Sequence, residues 1–249
     1  MYKGHFIITG TSRGIGEQLA RMLLDQGNVV YGISRGDSNS LEKYKNYIHH
    51  NFDLSNILGI ERMLKGIFNQ MNLLDSEMIC LINNAAMIEP LKTIDNCSAE
   101  EIKQNIEISL MAPMVMTSYF IKQFNSVPIR KKIINISSGS GTCPAPAMSV
   151  YCTAKAGINM FTQCIGAEQS KQPYPIEIIA VDPGMVETEL QVTARGKNDQ
   201  DFEMAKFFRQ AHETGQLQST EELGKHLLHI IDQKMESGKL IQGSTYENR

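Results

Sequence analysis

Nowhere in the 249-residue sequence do two cysteines stand at CxxC spacing. The five that occur, Cys80, Cys97, Cys143, Cys152 and Cys164, are odd in number and scattered, so neither a disulfide framework nor a zinc site is indicated. Reduced thiols in a cytosol are the simplest account. A charge excess is also missing: the net charge of −3 gives no reason to expect nucleic acid or an anionic membrane as partner. The most apolar internal stretch, Ile108–Ile121, is too short to span a bilayer comfortably. Met1-Tyr2-Lys3-Gly4 passes straight into Phe6-Ile7-Ile8, leaving no room for a signal peptide, so a soluble cytoplasmic protein is expected. No repeat, linker or low-complexity tract divides the chain. With 42% hydrophobic and 20% charged residues, one α/β domain over residues 1–249 is expected.

Short apolar runs alternate with helical patterns along the chain. His5–Thr9 reads as a buried strand, followed by the glycine-rich Thr9–Gly16 (TGTSRGIG) and a helical pattern through Leu19, Met22 and Leu23. Strand, glycine-rich turn and helix in that order is what a dinucleotide site requires: Gly10 for the tight turn, Gly14 for close approach to a pyrophosphate, Gly16 for helix–strand packing. The spacing is G-x-x-x-G-x-G, and an ordinary βα turn is the alternative. Asn28–Ser34 is a second strand. It ends in Ser34-Arg35, with no carboxylate to bind a ribose 2′-hydroxyl; Arg35 and Arg13 instead suit a 2′-phosphate, hence NADP(H).

Further strands are expected at Tyr47–Phe52, Met78–Ile82, Lys131–Ser137, Ile176–Val181 and Lys239–Ile241. Ser55, after Asp53-Leu54, is a candidate helix cap. Ser98-x-x-Glu101 has the capping-box pattern, opening a long helix to Phe124 interrupted only by Pro113. A helix from Ser149 or Val150 to about Ser170 and another over Glu221–Lys234 complete the pattern. The polar Gln191–Gly215, with Phe202, Phe207 and Phe208 on a short helix, is the main part of an expected lid over about residues 185–215. The fold expected is a doubly wound parallel α/β sheet with helices on both faces.

Tyr151-x-x-x-Lys155 follows the serine pair Ser137-Ser138. On a helix, Tyr151 and Lys155 lie one turn apart on one face. An ammonium beside a phenol favours the phenolate, and lowering its pKa by about 3 units takes roughly 4 kcal/mol. That would suit general acid–base catalysis near neutral pH. A surface Tyr–Lys pair has the same spacing.

Taken together, TGTSRGIG at Thr9, Asp53-Leu54, NNAA at Asn83, Ser138, Tyr151-x-x-x-Lys155 and Pro183-Gly184 resemble the short-chain dehydrogenases/reductases, over nearly the whole chain. Within that family the chain is most similar to the sepiapterin reductase and bacterial benzil reductase group, through INISSGSG, YCTAKAGINMF, PGMVETELQ and ESGKLI. The resemblance implies that Ser138 hydrogen-bonds the substrate carbonyl, Tyr151 is the general acid, and Lys155 holds the cofactor ribose and depresses the tyrosine pKa. It implies a cofactor site of Gly10, Ser12, Arg13, Gly14, Ile15, Gly16, Ser34, Arg35, Asp53, Leu54, Asn84, Ala85, Ala86, Tyr151, Lys155, Pro183, Gly184, Val186 and Thr188. Met185 would join Ser138 and Tyr151 at the substrate, with Cys143 to Met148 as an uncharged wall. Two departures stand out: Ala86 replaces a glycine, and Ser109 stands where a relay asparagine is expected, with Asn105 one turn earlier.

The activity so implied is NADPH-dependent reduction of a small-molecule ketone or 1,2-diketone. The alternatives are a sepiapterin reductase, a 3-oxoacyl or hydroxysteroid oxidoreductase, and a dinucleotide-binding regulator without turnover. A homodimer or tetramer through the helices of Ala99–Phe124 and Val150–Ser170 is implied too. Sepiapterin reductases resemble the chain in a tail where an aspartate anchors the pterin. Gln242 falls at that position here, which favours a flat, apolar carbonyl over a pterin.

Overall fold

A computed structural model describes residues 3–37 and 40–242. Strands β1 (Gly4–Thr9), β2 (Val29–Ser34), β3 (Tyr47–Asn51), β4 (Met78–Asn83), β5 (Arg130–Ile136), β6 (Glu177–Asp182) and β7 (Leu240–Gln242) form one parallel sheet in the order β3-β2-β1-β4-β5-β6-β7. The helices are α1 (Gly14–Asp25), α2 (Ile60–Phe68), α3 (Ala99–Ile106), α4 (Ala112–Phe124), α5 (Ser149–Gln169), α6 (Glu189–Arg195), α7 (Ala205–Glu213) and α8 (Thr220–Asp232).

Alternation along the strands feeds two apolar layers. Phe6, Ile8, Cys80, Ile82, Ile134 and Val181 pack with Leu19 and Leu23 of α1 and Leu223, Leu227 and Ile230 of α8. Their neighbours Ile7, Ile79, Leu81 and Ile133 point the other way, onto Ile60, Leu64 and Ile67 of α2 and Met116, Phe120 and Phe124 of α4. Burial on both faces is why these strands read as unbroken apolar runs. Chain order reverses at β1, whose neighbours are β2 and β4, so a crevice opens at the carboxyl ends of β1 and β4.

Ser98 and Glu101 form the expected capping box, and Ser219 and Glu222 form a second one at α8. Ser55 is not a helix cap. Its N–H and hydroxyl both donate to Asp53 Oδ1, and Asn56 caps a single 3-10 turn at Ile57–Gly59 ahead of α2. The long helix to Phe124 is divided by a π turn at Glu107–Met111, where the Ala112 N–H reaches back to Glu107 O. Pro113 supplies the reason: it has no N–H for the carbonyl of Ser109 and its ring crowds that turn, so the helix widens just before it. The segment after β6 is more helical than expected. It holds α6 as well as α7, and α7 carries Phe207 and Phe208 while Phe202 precedes it.

Candidate active site

The crevice is a cleft of about 600 Å³. At its base Gly10 (φ +76°) and Gly14 (φ +61°) turn the chain from β1 into α1 through backbone angles that side chains rarely adopt. The residue before α1, Arg13, is extended and its side chain caps no N–H. The first-turn N–H groups of α1 thus have no side-chain cap at a point where Gly14 and Ile15 line the cleft, the chemistry that receives a phosphate. A Cβ on Gly10 would lie 2.9 Å from Asn84 Nδ2, so the turn admits no side chain there. Gly16 stands apart from the cleft wall. It is buried, and a Cβ there would sit 2.3 Å from Gly10 O, so its part is packing α1 on β1 rather than lining the pyrophosphate site.

Asn84, Ala85 and Ala86 line the cleft beyond β4. Asn84 Nδ2 donates to Thr9 O at 2.8 Å, and the N–H groups of Asn84 and Ala85 donate to Thr9 Oγ1 at 2.9 Å each, which fastens the two strand ends together. Ser12, Ser34, Arg35, Asp53 and Leu54 form the far end. There Arg35 is 3.9 Å from Asp53 and Arg13 is 4.0 Å from Glu189, all four side chains being about half exposed or more. Contacts that long and wet hold a guanidinium weakly. The Ser34 hydroxyl donates to Gly36 O at 2.7 Å and lies 3.0 Å from His49 Nε2. Backbone and hydroxyl donors of Ser55, with Arg35 adding to them, keep the Asp53 carboxyl below the ordinary range.

Helix α5 brings Tyr151 and Lys155 to the cleft one turn apart, opposite Ser138 at the end of β5. Lys155 Nζ donates to Ile136 O at 2.8 Å and stands 5.6 Å from the Tyr151 ring centroid. Both side chains are buried, and the Tyr151 phenol hydrogen-bonds Ser138. The sequence argument expects the lysine to draw the tyrosine pKa down. Burial overrides this: it pushes Tyr151 up to about 12, against the opposing hydrogen bond from Ser138, and Lys155 down to about 8. A dry site penalises both charged forms, so the phenol rests protonated.

Asn159, one turn after Lys155, has no counterpart among the expected site residues. It accepts from Ser137 Oγ at 2.5 Å and donates to Gly141 O at 3.3 Å, holding the turn that follows Ser138. Its place on the Tyr151–Lys155 face of α5 was the available signal. Asp182 is a second omission. It lines the cleft, accepts from Gly184 N at 3.0 Å, and raises the pKa of both Tyr151 and Lys155. Pro183, Gly184, Met185, Val186 and Thr188 line the cleft as expected.

The substrate side differs more. Of the wall expected from Cys143 to Met148, Ala145 and Met148 reach the cleft. Leu190, Met204, Phe207 and Phe208 reach it from the expected lid, and Ile88, Gln104 and Ile108 from elements that adjoin the site only once folded. Ser109 and Asn105 hold the loop after β4: Ser109 Oγ accepts from Met87 N at 3.0 Å, and Asn105 Nδ2 donates to Met87 O at 2.7 Å and Glu89 O at 2.6 Å.

A family model described as short chain dehydrogenase matches residues 4–199. The chain belongs to the short chain dehydrogenase family. A benzil reductase ((S)-benzoin forming) from Bacillus cereus is 36% identical over 244 residues, spanning 96% of this chain and 98% of its own. A sepiapterin reductase from Xenopus tropicalis is 22% identical over 91% of this chain and 90% of its own. The KRED1-Pglu enzyme shares the fold, with a TM-score of 0.83 at 22% identity over 96% of this chain and 100% of that one. As a short chain dehydrogenase the protein is an oxidoreductase that works with a nicotinamide cofactor, and its benzil reductase relatives support reduction of a carbonyl. Among the described residues no helix is long and apolar enough to cross a membrane.

Proposed function

We propose that the protein is a single-domain, NADPH-dependent carbonyl reductase acting on a ketone or on one carbonyl of a 1,2-diketone. The observation that carries this reading is the buried Ser138–Tyr151–Lys155 group facing the glycine turn across one cleft. The α1 N-terminus and the turns at Gly10 and Gly14 would hold the pyrophosphate, Arg13 and Arg35 the 2′-phosphate, and Pro183, Gly184, Val186 and Thr188 the nicotinamide end. The bound cofactor supplies the hydride. Ser138 and Tyr151 orient the carbonyl oxygen, and Tyr151, protonated at rest, gives that oxygen a proton as negative charge develops on it. Lys155 offsets the charge then left on the phenol. The segment over residues 185–215 serves as a lid that keeps water out. Met111, Met114 and Met160, exposed on the π turn, α4 and α5, are suited to self-association into a dimer or tetramer.

A diketone is favoured over a pterin because Gln242 is an exposed neutral amide at the end of β7, off the cleft wall. Following NADPH absorbance with benzil, butane-2,3-dione and sepiapterin tests the reading. Benzil should turn over best, and Tyr151→Phe should lose at least about a hundredfold in kcat while still binding NADPH. Turnover with no carbonyl, or a clear preference for sepiapterin, would overturn it.

A further inference from the structure

Helix α7 carries a large aromatic side chain that folding leaves half exposed. Phe207 is 48% exposed although it stands on the wall of the cleft. It ends a series of rings that starts in the interior. Phe202 is fully buried and stacks on Phe208 with centroids 5.8 Å apart, and Phe208 meets Phe207 edge to face at 5.7 Å and 76°. Phe202 belongs to the same apolar cluster as Tyr151, with Met204 and Phe208 packed against it. The rings therefore run from the neighbourhood of the tyrosine to an open end in the cleft. A second aromatic group gains little at a ring already buried and most at one whose exposed area it can cover, and edge-to-face contact is worth more than area alone.

We propose that Phe207 and Phe208 form an aryl subsite. A ring carried by the substrate, on the far side of the reacting carbonyl, packs against them and continues the series. This rests on the carbonyl-reductase reading and narrows it to aryl carbonyls and diaryl 1,2-diketones. Ile88, in the same apolar cluster as Phe202, and Ile108 line the same cleft and add only apolar surface. Two ion pairs border the lid: Lys197 Nζ donates to Glu89 Oε1 at 2.5 Å, and Arg195 pairs with Glu187. Nothing there calls for a charged substituent on the ring.

The test compares benzil with butane-2,3-dione, which offers the same dicarbonyl without rings, for the wild-type protein, Phe207→Ala and Phe207→Leu. Phe207→Ala should lower the kcat/KM preference for benzil over butane-2,3-dione about tenfold, through KM rather than kcat. Phe207→Leu, which keeps apolar area but no ring, should recover part of that. An unchanged preference, or equal losses on both diketones, would overturn the subsite. Calorimetric titration of benzil into wild-type and Phe207→Ala protein with NADP bound separates this from the parent reading. Weaker benzil binding in the variant upholds the subsite even if no carbonyl is turned over, and equal binding sinks it even if the protein is a reductase.

Discussion

Strand β5 has a lysine-rich beginning and ends beside the site lysine, and the two ends treat buried ammonium groups differently. At the beginning, Lys132 is fully buried and donates to Ile230 O at 2.7 Å, Ile231 O at 3.3 Å and Gln233 O at 2.6 Å, with Glu177 at 3.2 Å. Its neighbour Lys131 donates to Val127 O and Tyr174 O. The carbonyls that Lys132 meets include the last ones of α8, so this cation closes a helix end and ties it to β5. At the other end Lys155 has, among the described residues, one carbonyl, Ile136 O, for three N–H donors, and no carboxylate within ion-pair range. Burial lowers the pKa of both lysines. A buried cation with every donor matched is part of the scaffold, whereas one left short of partners costs stability and is free to act on something else.

Lys155→Met is the strongest way to break this contrast. Turnover should fall by more than about a hundredfold, since the phenol then has no cation beside it. Stability should rise. The ordinary lysine pKa of 10.5 falls to about 8 on burial, which corresponds to roughly 3 kcal/mol of cost. The sign follows from proton uptake: between about pH 8 and 10.5 the unfolded chain binds more protons than the folded one, so the cost is full below about 8 and fades as pH rises. Allowing about 1–2 kcal/mol for the abandoned carbonyl, Tm at pH 7 should rise by roughly 2–8 °C. The gain should vanish near pH 10.5. A lower Tm at pH 7 would put Lys155 in the scaffold class. In the wild-type protein, reductive kcat/KM should decline as pH passes about 8, where Lys155 loses its charge.

Lys132→Met is the converse. It strips a partner from Glu177 and from three carbonyls at the end of α8, and breaking a buried pair from one side costs about 3 kcal/mol or more. Tm should fall by roughly 6–12 °C, with kcat nearly intact in what remains folded. Thermal melts beside initial rates would show it, and a loss of kcat at unchanged Tm would contradict it.

How much of this could be read from the chain divides along the same line. The sheet, the glycine turn, the capping box at Ser98 and the Tyr151–Lys155 spacing are local patterns, each fixed by a few adjacent residues, and they were legible. Three features were not. The π turn before Pro113 depends on how α4 must continue past a proline while staying packed on the sheet. The part of the wall that Ile88, Gln104 and Ile108 supply depends on how the loop after β4 and α3 with its π turn come to rest over the cleft, whereas the lid over residues 191–215 was expected there. The direction of the Tyr151 shift depends on burial, and spacing alone supplies the ammonium but not the dielectric around it.

The exposed cations extend the comparison to the mouth of the cleft. Arg35 and Arg13 face carboxylates at 3.9 and 4.0 Å in solvent, too loosely to be held there. Under the NADPH reading Arg35→Ala should cost about 1.5–3 kcal/mol in NADPH binding, roughly 10- to 150-fold, and leave NADH binding alone. Equal weakening of both cofactors, measured by titration, would remove the 2′-phosphate from Arg35.

The smallest effect is expected at Ser109, where the same reasoning is applied to a neutral group. Its hydroxyl stands at the relay position of the family pattern, and a role behind Lys155 would make Ser109→Ala slow turnover. In the fold its oxygen accepts from Met87 N at 3.0 Å and lies 3.5 Å from Met87 O, so both hydrogen-bonding functions serve the loop after β4. Asn105 serves the same loop with two shorter bonds, to Met87 O and Glu89 O. Ser109→Ala should therefore cost about 1 kcal/mol of stability and change kcat by no more than about threefold. Asn105→Ala, which abandons two half-buried carbonyls, should cost about 2 kcal/mol and raise the KM of a substrate that leans on Ile88, the residue between the two anchored carbonyls. If Ser109→Ala instead lowers kcat well beyond that while the melting temperature holds, the hydroxyl belongs with Lys155 among groups kept for chemistry rather than for the scaffold.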